Sequence, residues 1–139
     1  MNAVTSRIGM FPSRSEAWKD ARAFIDDFCR SAALPRESCL KANLLVEELF
    51  LNTVKHGHEG GSDAPVWITL ESGGGNVQLT YEDRAPPFNP FAPGTRDMLE
   101  ALAGVRKEGG LGVLLAHSLT ASAEYAYVFG RNRVRLTLA

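Results

Sequence analysis

Cysteine is scarce in this chain: Cys29 and Cys39 are the only two in 139 residues. A small secreted domain stapled by disulfides uses more, and neither cysteine has metal-ligand spacing, so both are expected to be reduced thiols in helices. An excess of one charge is also missing. Lys and Arg number 15 against 16 Asp and Glu, for a formal net charge of -1. That excludes the basic stripe with which a protein grips a nucleic-acid backbone, so no direct nucleic-acid partner is expected. No run of about 18 apolar residues offers a membrane span, and the first residues lack the apolar core of a secretion signal. The expectation is a soluble, cytoplasmic protein with no membrane partner. Repeats and low-complexity tracts are absent too. What is present is 45% hydrophobic residues, enough for one compact domain over residues 1–139 that buries roughly 68–70% of its unfolded surface.

Periodicity lays out the elements. Residues 7–11 read as a short strand. Ser13-Arg14-Ser15-Glu16 reads as a capping box ahead of a helix that ends near Ser31, with Trp18, Ala21, Ile25 and Phe28 on its apolar face. After Pro35, a second helix is predicted over 36–56, stopped by Gly57. It is apolar almost all round, which suits a place between a sheet and another helix. Val66, Ile68 and Leu70 alternate with Trp67, Thr69 and Glu71, and Val77, Leu79 and Tyr81 with Gln78, Thr80 and Glu82, around a turn at Ser72-Gly73-Gly74-Gly75-Asn76. They predict a β-hairpin. A second hairpin is predicted over 125–138, turning at Gly130-Arg131-Asn132. Arg131, Arg133 and Arg135 alternate there and predict the solvent face of an edge strand. Between the hairpins, Pro86, Pro87, Pro90 and Pro93 open a long irregular segment, uncommon in a small domain unless it is functional.

Three features carry candidate chemistry. Glu48, Asn52 and His56 recur every four residues along one stripe of the second helix. A carboxylate and an amide there suit a base and a magnesium ligand; the same spacing also suits an ordinary solvated stripe. Asp83 extends the row of Val77, Leu79 and Tyr81 to the strand's end. A carboxylate so placed needs a partner, either a ligand amino group or the backbone N–H groups of the following turn. Gly109-Gly110-Leu111-Gly112 opens an apolar helix, where backbone N–H groups can approach phosphate; a tight helix–sheet contact would use glycines as well. His56, His58 and His117 lack the ligand set of a structural zinc site.

In this order the motifs resemble those of the GHKL, or Bergerat-fold, ATPases. Glu48-Leu49-Phe50-Leu51-Asn52 with Lys55-His56 is similar to the N-box. Asp83-Arg84-Ala85-Pro86-Pro87-Phe88-Asn89-Pro90 is similar to a proline-rich G1 box, and Gly109-Gly110-Leu111-Gly112-Val113 to the G2 box. The resemblance spans about residues 7–139. The short length, the lack of attached sensor or dimerisation helices and the Pro-Pro-Phe variant are most similar to the anti-sigma-factor serine kinases.

The resemblance implies an α/β (α+β) two-layer sandwich: a mixed, mostly antiparallel sheet with helices on one face. ATP and Mg²⁺ are the implied cofactors. Asn52 would coordinate Mg²⁺, Glu48 would act as catalytic base or orienter, and Asp83 would accept from the adenine amino group. Ala85, Gly110, Leu111 and Gly112 complete the implied nucleotide contacts, and the ATP lid would lie at about 85–108. Arg106 or Lys107 there could reach the γ-phosphate or stay solvated. The implied activity is phosphorylation of a serine on an anti-anti-sigma partner, alternating with sequestration of a sigma factor; a homodimer is compatible with it. The alternative is a non-catalytic, nucleotide-dependent protein-binding switch. An ATPase module of a larger machine, such as a sensor histidine kinase, is the least expected. One departure is Ala85, where the G1 box usually has glycine; its methyl group is expected either to crowd the adenine or to be tolerated by the loop.

Overall fold

A computed structural model describes residues 5–58, 60–91 and 119–138. Among the described residues five strands form one sheet: β1 (Thr5–Pro12), β2 (Pro65–Gly73), β3 (Asn76–Asp83), β4 (Thr120–Val128) and β5 (Arg131–Leu138). Their order is β1-β2-β3-β5-β4, and all four pairings are antiparallel. Helices α1 (Trp18–Ser31) and α2 (Arg36–Asn52) cover one face. This is the expected two-layer α+β sandwich, with an antiparallel sheet throughout the described residues.

Alternation decides which side of each strand meets the helices. Val66, Ile68 and Leu70 of β2, Leu79 and Tyr81 of β3, and Val134 and Leu136 of β5 are buried. They meet Ile25 and Phe28 of α1 and Val46 and Phe50 of α2, all fully buried. Trp18 tilts against Phe50 with ring centroids 6.0 Å apart, and Phe11 meets Phe24 edge-on at 5.7 Å. The apolar circumference of α2 is only partly used: Leu40 is 58% exposed and Leu44 37%.

Two local expectations are corrected. Ser13 does not cap α1. Its hydroxyl donates to the carbonyl of Ala64 at 2.8 Å, while its backbone N–H donates to the same oxygen at 3.0 Å. A short 3₁₀ turn, Ser15–Ala17, starts the helix instead, with no side-chain cap. The buried Ser13 thus ties the end of β1 to the loop entering β2, where an unpaired hydroxyl would be costly. Second, β5 is an interior strand, so its arginines do not mark an edge. They lie on the face away from the helices, where the Arg131 guanidinium stacks 3.5 Å from the Trp67 ring centroid and reaches Glu82 at 3.7 Å.

Both hairpins turn through two residues of positive φ: Gly74 and Gly75 at 61° and 83°, Phe129 and Gly130 at 52° and 74°. Such turns match the right-handed twist of paired strands. The second turn therefore sits at 129–130 rather than 130–132, and Arg131 and Asn132 belong to β5.

Cys29 and Cys39 are both free thiols, as expected. Burial, aided by the neighbouring Cys39, pushes the Cys29 thiol up to about 12. Alkylation at neutral pH should therefore mark half-buried Cys39 well before Cys29, read by mass spectrometry of the labelled peptides. Core position should likewise decide the cost of truncation. Phe50→Ala should cost about 3–5 kcal/mol in urea unfolding, while Leu40→Ala should stay within about 0.5 kcal/mol.

Candidate functional site: a polar end to an apolar sheet

The inner face of the sheet turns polar at one end. Asp83 closes β3 and Asn132 stands opposite it on β5, both less than 10% exposed. Facing them is the end of α2, where the helix does not run on regularly to residue 56. It ends at Asn52 and opens into a π turn over Thr53–Gly57, with the His58 N–H reaching the Thr53 carbonyl at 3.0 Å. Widened turns of this type recur at functional sites because they shift side chains out of helical register.

The Asp83 carboxylate is surrounded by donors. Its Oδ1 accepts from the Ala85 N–H at 3.1 Å and from Asn132 Nδ2 at 2.9 Å. Its Oδ2 accepts from the Thr53 hydroxyl at 2.7 Å. Thr53 in turn lies 2.6 Å from the Tyr81 hydroxyl, which also reaches the Leu49 carbonyl at 3.2 Å. One proton per hydroxyl orders the chain: Tyr81 donates to Thr53, and Thr53 to Asp83. Complete burial, reinforced by the Asp83 charge, pushes the Tyr81 hydroxyl well above its ordinary pKa, so it remains a donor.

Beside this network lies a cavity of about 190 Å³. Leu49, Tyr81, Val134 and the Pro86, Pro87, Phe88 and Pro90 loop give it apolar walls, and Asn52, Thr53, His56, Asp83 and Asn132 its polar points. An apolar pocket with a few convergent polar groups is the usual form of a small-molecule site. Its volume is below the roughly 300–1,000 Å³ of a whole-ligand pocket, and it suits the planar part of a larger ligand.

The structure brings Asn52 and Asp83 to one cavity. Glu48 is half-buried one turn earlier on α2 and is not among the residues lining it. Ala85 does not line it either. It is buried, and a Cβ placed on Gly57 would stand 2.6 Å from the Ala85 methyl group. The methyl group that could have crowded a ligand fills the space left by Gly57. Gly110, Leu111, Gly112, Arg106 and Lys107, with most of the expected 85–108 lid, lie outside the described residues. Among the described residues no three His, Cys, Asp or Glu side chains cluster as a metal site, and no helix is long and apolar enough to cross a membrane.

Sequence reasoning missed Thr53, Tyr81, Tyr125 and Asn132. Tyr81 was visible only as a core residue, and Asn132 only as a turn residue. The signal available was register: Asn132 sits opposite Asp83 once the second hairpin is turned at 129–130.

The chain belongs to the histidine kinase-like ATPase domain family, whose profile matches residues 11–138. That family places it among nucleotide-binding domains of the GHKL type. The crystal structure of the RsbU and RsbW domains of Rv1364c from Mycobacterium tuberculosis is similar in fold, with a TM-score of 0.67 at 16% identity. The match covers 96% of this chain and 32% of that one, so this chain spans about a third of its length. No curated protein matches the sequence.

The Gly57–Ala85 contact is testable. Gly57→Ala should destabilise the protein by about 1–3 kcal/mol through overpacking. Adding Ala85→Gly should recover most of that loss, a non-additivity that a double-mutant cycle in urea detects.

Proposed function

We propose that this domain binds ATP with Mg²⁺ and transfers the γ-phosphoryl group to a serine of an anti-anti-sigma partner, alternating with sequestration of a sigma factor. The observation that carries the nucleotide reading is the Asp83 carboxylate, held at the cavity wall by donors alone. Such a group accepts a further hydrogen bond but cannot donate one, which suits the exocyclic amino group of adenine. The apolar walls suit the faces of a purine ring. Asn52 offers a side-chain oxygen, the hard ligand Mg²⁺ prefers while it keeps phosphate and water in its remaining positions. When bound, the metal supplies charge neutralisation at the phosphates.

Phosphoryl transfer asks the protein mainly to position and to neutralise charge. In this reading Asn52 would hold Mg²⁺, which would neutralise phosphate charge, and Glu48 one turn away would orient or deprotonate the attacking serine hydroxyl. Gly110, Leu111 and Gly112 are proposed as phosphate contacts on the resemblance of 109–113 to a G2 box. The kinase and sigma-factor roles rest on the proline-rich G1 motif, with the RsbW fold likeness beside it. The second reading is a nucleotide-dependent binding switch without transfer. It is favoured by one observation: Glu48 stands off the cavity wall.

Calorimetric titration should give Mg²⁺-dependent ATP binding that falls at least tenfold in Asp83→Asn, about 1.4 kcal/mol or more. Absence of binding in the unaltered protein overturns the nucleotide reading. Glu48→Ala should keep ATP affinity within about threefold while transfer of labelled phosphate to an anti-anti-sigma protein drops by a factor of about 10²–10⁴. Phosphoserine formed at an unchanged rate in that variant removes Glu48 from the chemistry. ATP binding with no phosphoserine from the unaltered protein selects the switch.

A further inference from the structure

Asn132 spends every polar atom on the protein. Its Nδ2 donates to Asp83 Oδ1 at 2.9 Å, to the Ala85 carbonyl at 3.0 Å and to the Pro86 carbonyl at 3.1 Å. Its Oδ1 accepts from the Phe88 N–H at 2.9 Å and from the Tyr125 hydroxyl. Turning the amide over would set its oxygen against three acceptors and its N–H groups against two donors, so the partners fix its orientation. The two N–H protons of its amide are shared among the three acceptors. A carboxylate would set oxygen against the Asp83 carboxylate and two carbonyls, and a hydroxyl has one proton for three acceptors. With its hydrogen-bonding capacity used, Asn132 acts on a ligand through what it holds.

We infer that Asn132 is the positioning residue that gives this site its preference for a 6-aminopurine over a 6-oxopurine, by fixing the Asp83 carboxylate and the Ala85–Phe88 turn as one unit. The inference rests on the nucleotide reading above. A carboxylate alone does not discriminate between the two bases. It accepts from the 6-amino group of adenine, and equally from the N1–H and 2-amino groups of guanine if it can swing to meet them. Discrimination requires that it cannot swing. Thr53 pins one oxygen, and Ala85 N–H and Asn132 pin the other. Of these, Asn132 alone also bonds along the turn carrying Pro86, Pro87 and Phe88, which lines the same cavity. Tyr125 supports it from β4, its hydroxyl lying 3.2 Å from the Phe88 nitrogen as well.

The test measures ATP and GTP affinity with Mg²⁺ for the unaltered protein, Asn132→Ala and Tyr125→Phe, alongside thermal unfolding. The unaltered protein should prefer ATP at least tenfold. In Asn132→Ala that ratio should shrink at least fivefold, through weaker ATP binding and retained or stronger GTP binding. In Tyr125→Phe, which keeps the ring and loses one supporting hydroxyl, it should shrink about twofold. A purely structural role predicts a lower melting temperature with the ratio unchanged, and that result in a folded Asn132→Ala protein overturns the inference while leaving ATP binding standing. If Asn132→Ala does not fold, the Tyr125→Phe ratio decides, an unchanged value again overturning it. An unaltered protein that binds neither nucleotide overturns the nucleotide reading itself.

Discussion

A carboxylate buried at the end of an apolar strand has to be met by donors, and the polar half of this domain is organised around that requirement. Asp83 continues the inward-facing row of β3, so the pleat that buries Leu79 and Tyr81 also takes its charge out of water. The donors come from three directions in the chain: Thr53 after α2, Ala85 in the following loop and Asn132 on β5. Each hydrogen bond to such a charge is worth about 1.5–3 kcal/mol, and a buried one left unmade costs at least as much. The network therefore ties the end of the helix layer to the sheet as firmly as packing does. The cavity lies where apolar packing gives way to this network.

The departure of α2 from regular helix belongs to the same constraint. Within an ordinary helix, the Thr53 hydroxyl would bond back to the Leu49 carbonyl, which lies 3.0 Å away. Here its proton goes to Asp83 at 2.7 Å instead, and its oxygen accepts from the Tyr81 hydroxyl at 2.6 Å. The π turn that follows brings Gly57 against Ala85. An alanine in the G1-like motif is accommodated by a glycine twenty-eight residues earlier.

Features set by strict periodicity were legible in the sequence. The row Val77, Leu79, Tyr81, Asp83 could be read directly, because a strand's two faces follow from counting by two. The apolar face of α1 was equally plain. Asn52 and Asp83 were legible as candidates because motif and period agreed on them, and both line the cavity. What failed depended on partners distant in the chain. Ser13 has the local sequence of a helix cap, yet a carbonyl fifty-one residues away claims its hydroxyl. The arginines of β5 carry the polar alternation of an edge, but a strand with one solvated face shows the same pattern in the middle of a sheet. Asn132 was hidden because glycine and asparagine close together, as in Gly130-Arg131-Asn132, read as a turn; nothing local reveals that a φ of 52° at Phe129 moves the turn one residue earlier.

That turn acts as a ruler. Phe129, its side chain fully exposed, contributes no packing, but the positive φ of both turn residues limits what can stand there. The number of residues between Val128 and Arg131 is constrained for a different reason. Strand pairing repeats every two residues, so one residue more or fewer in the loop would turn Asn132 to the outer face and bring Arg131 or Arg133 inward against Asp83. The tip of this hairpin is therefore restricted in conformation by its φ angles and in length by the register. Divergence there should stay among residues that tolerate positive φ, while a change of length is opposed by a carboxylate on the neighbouring strand.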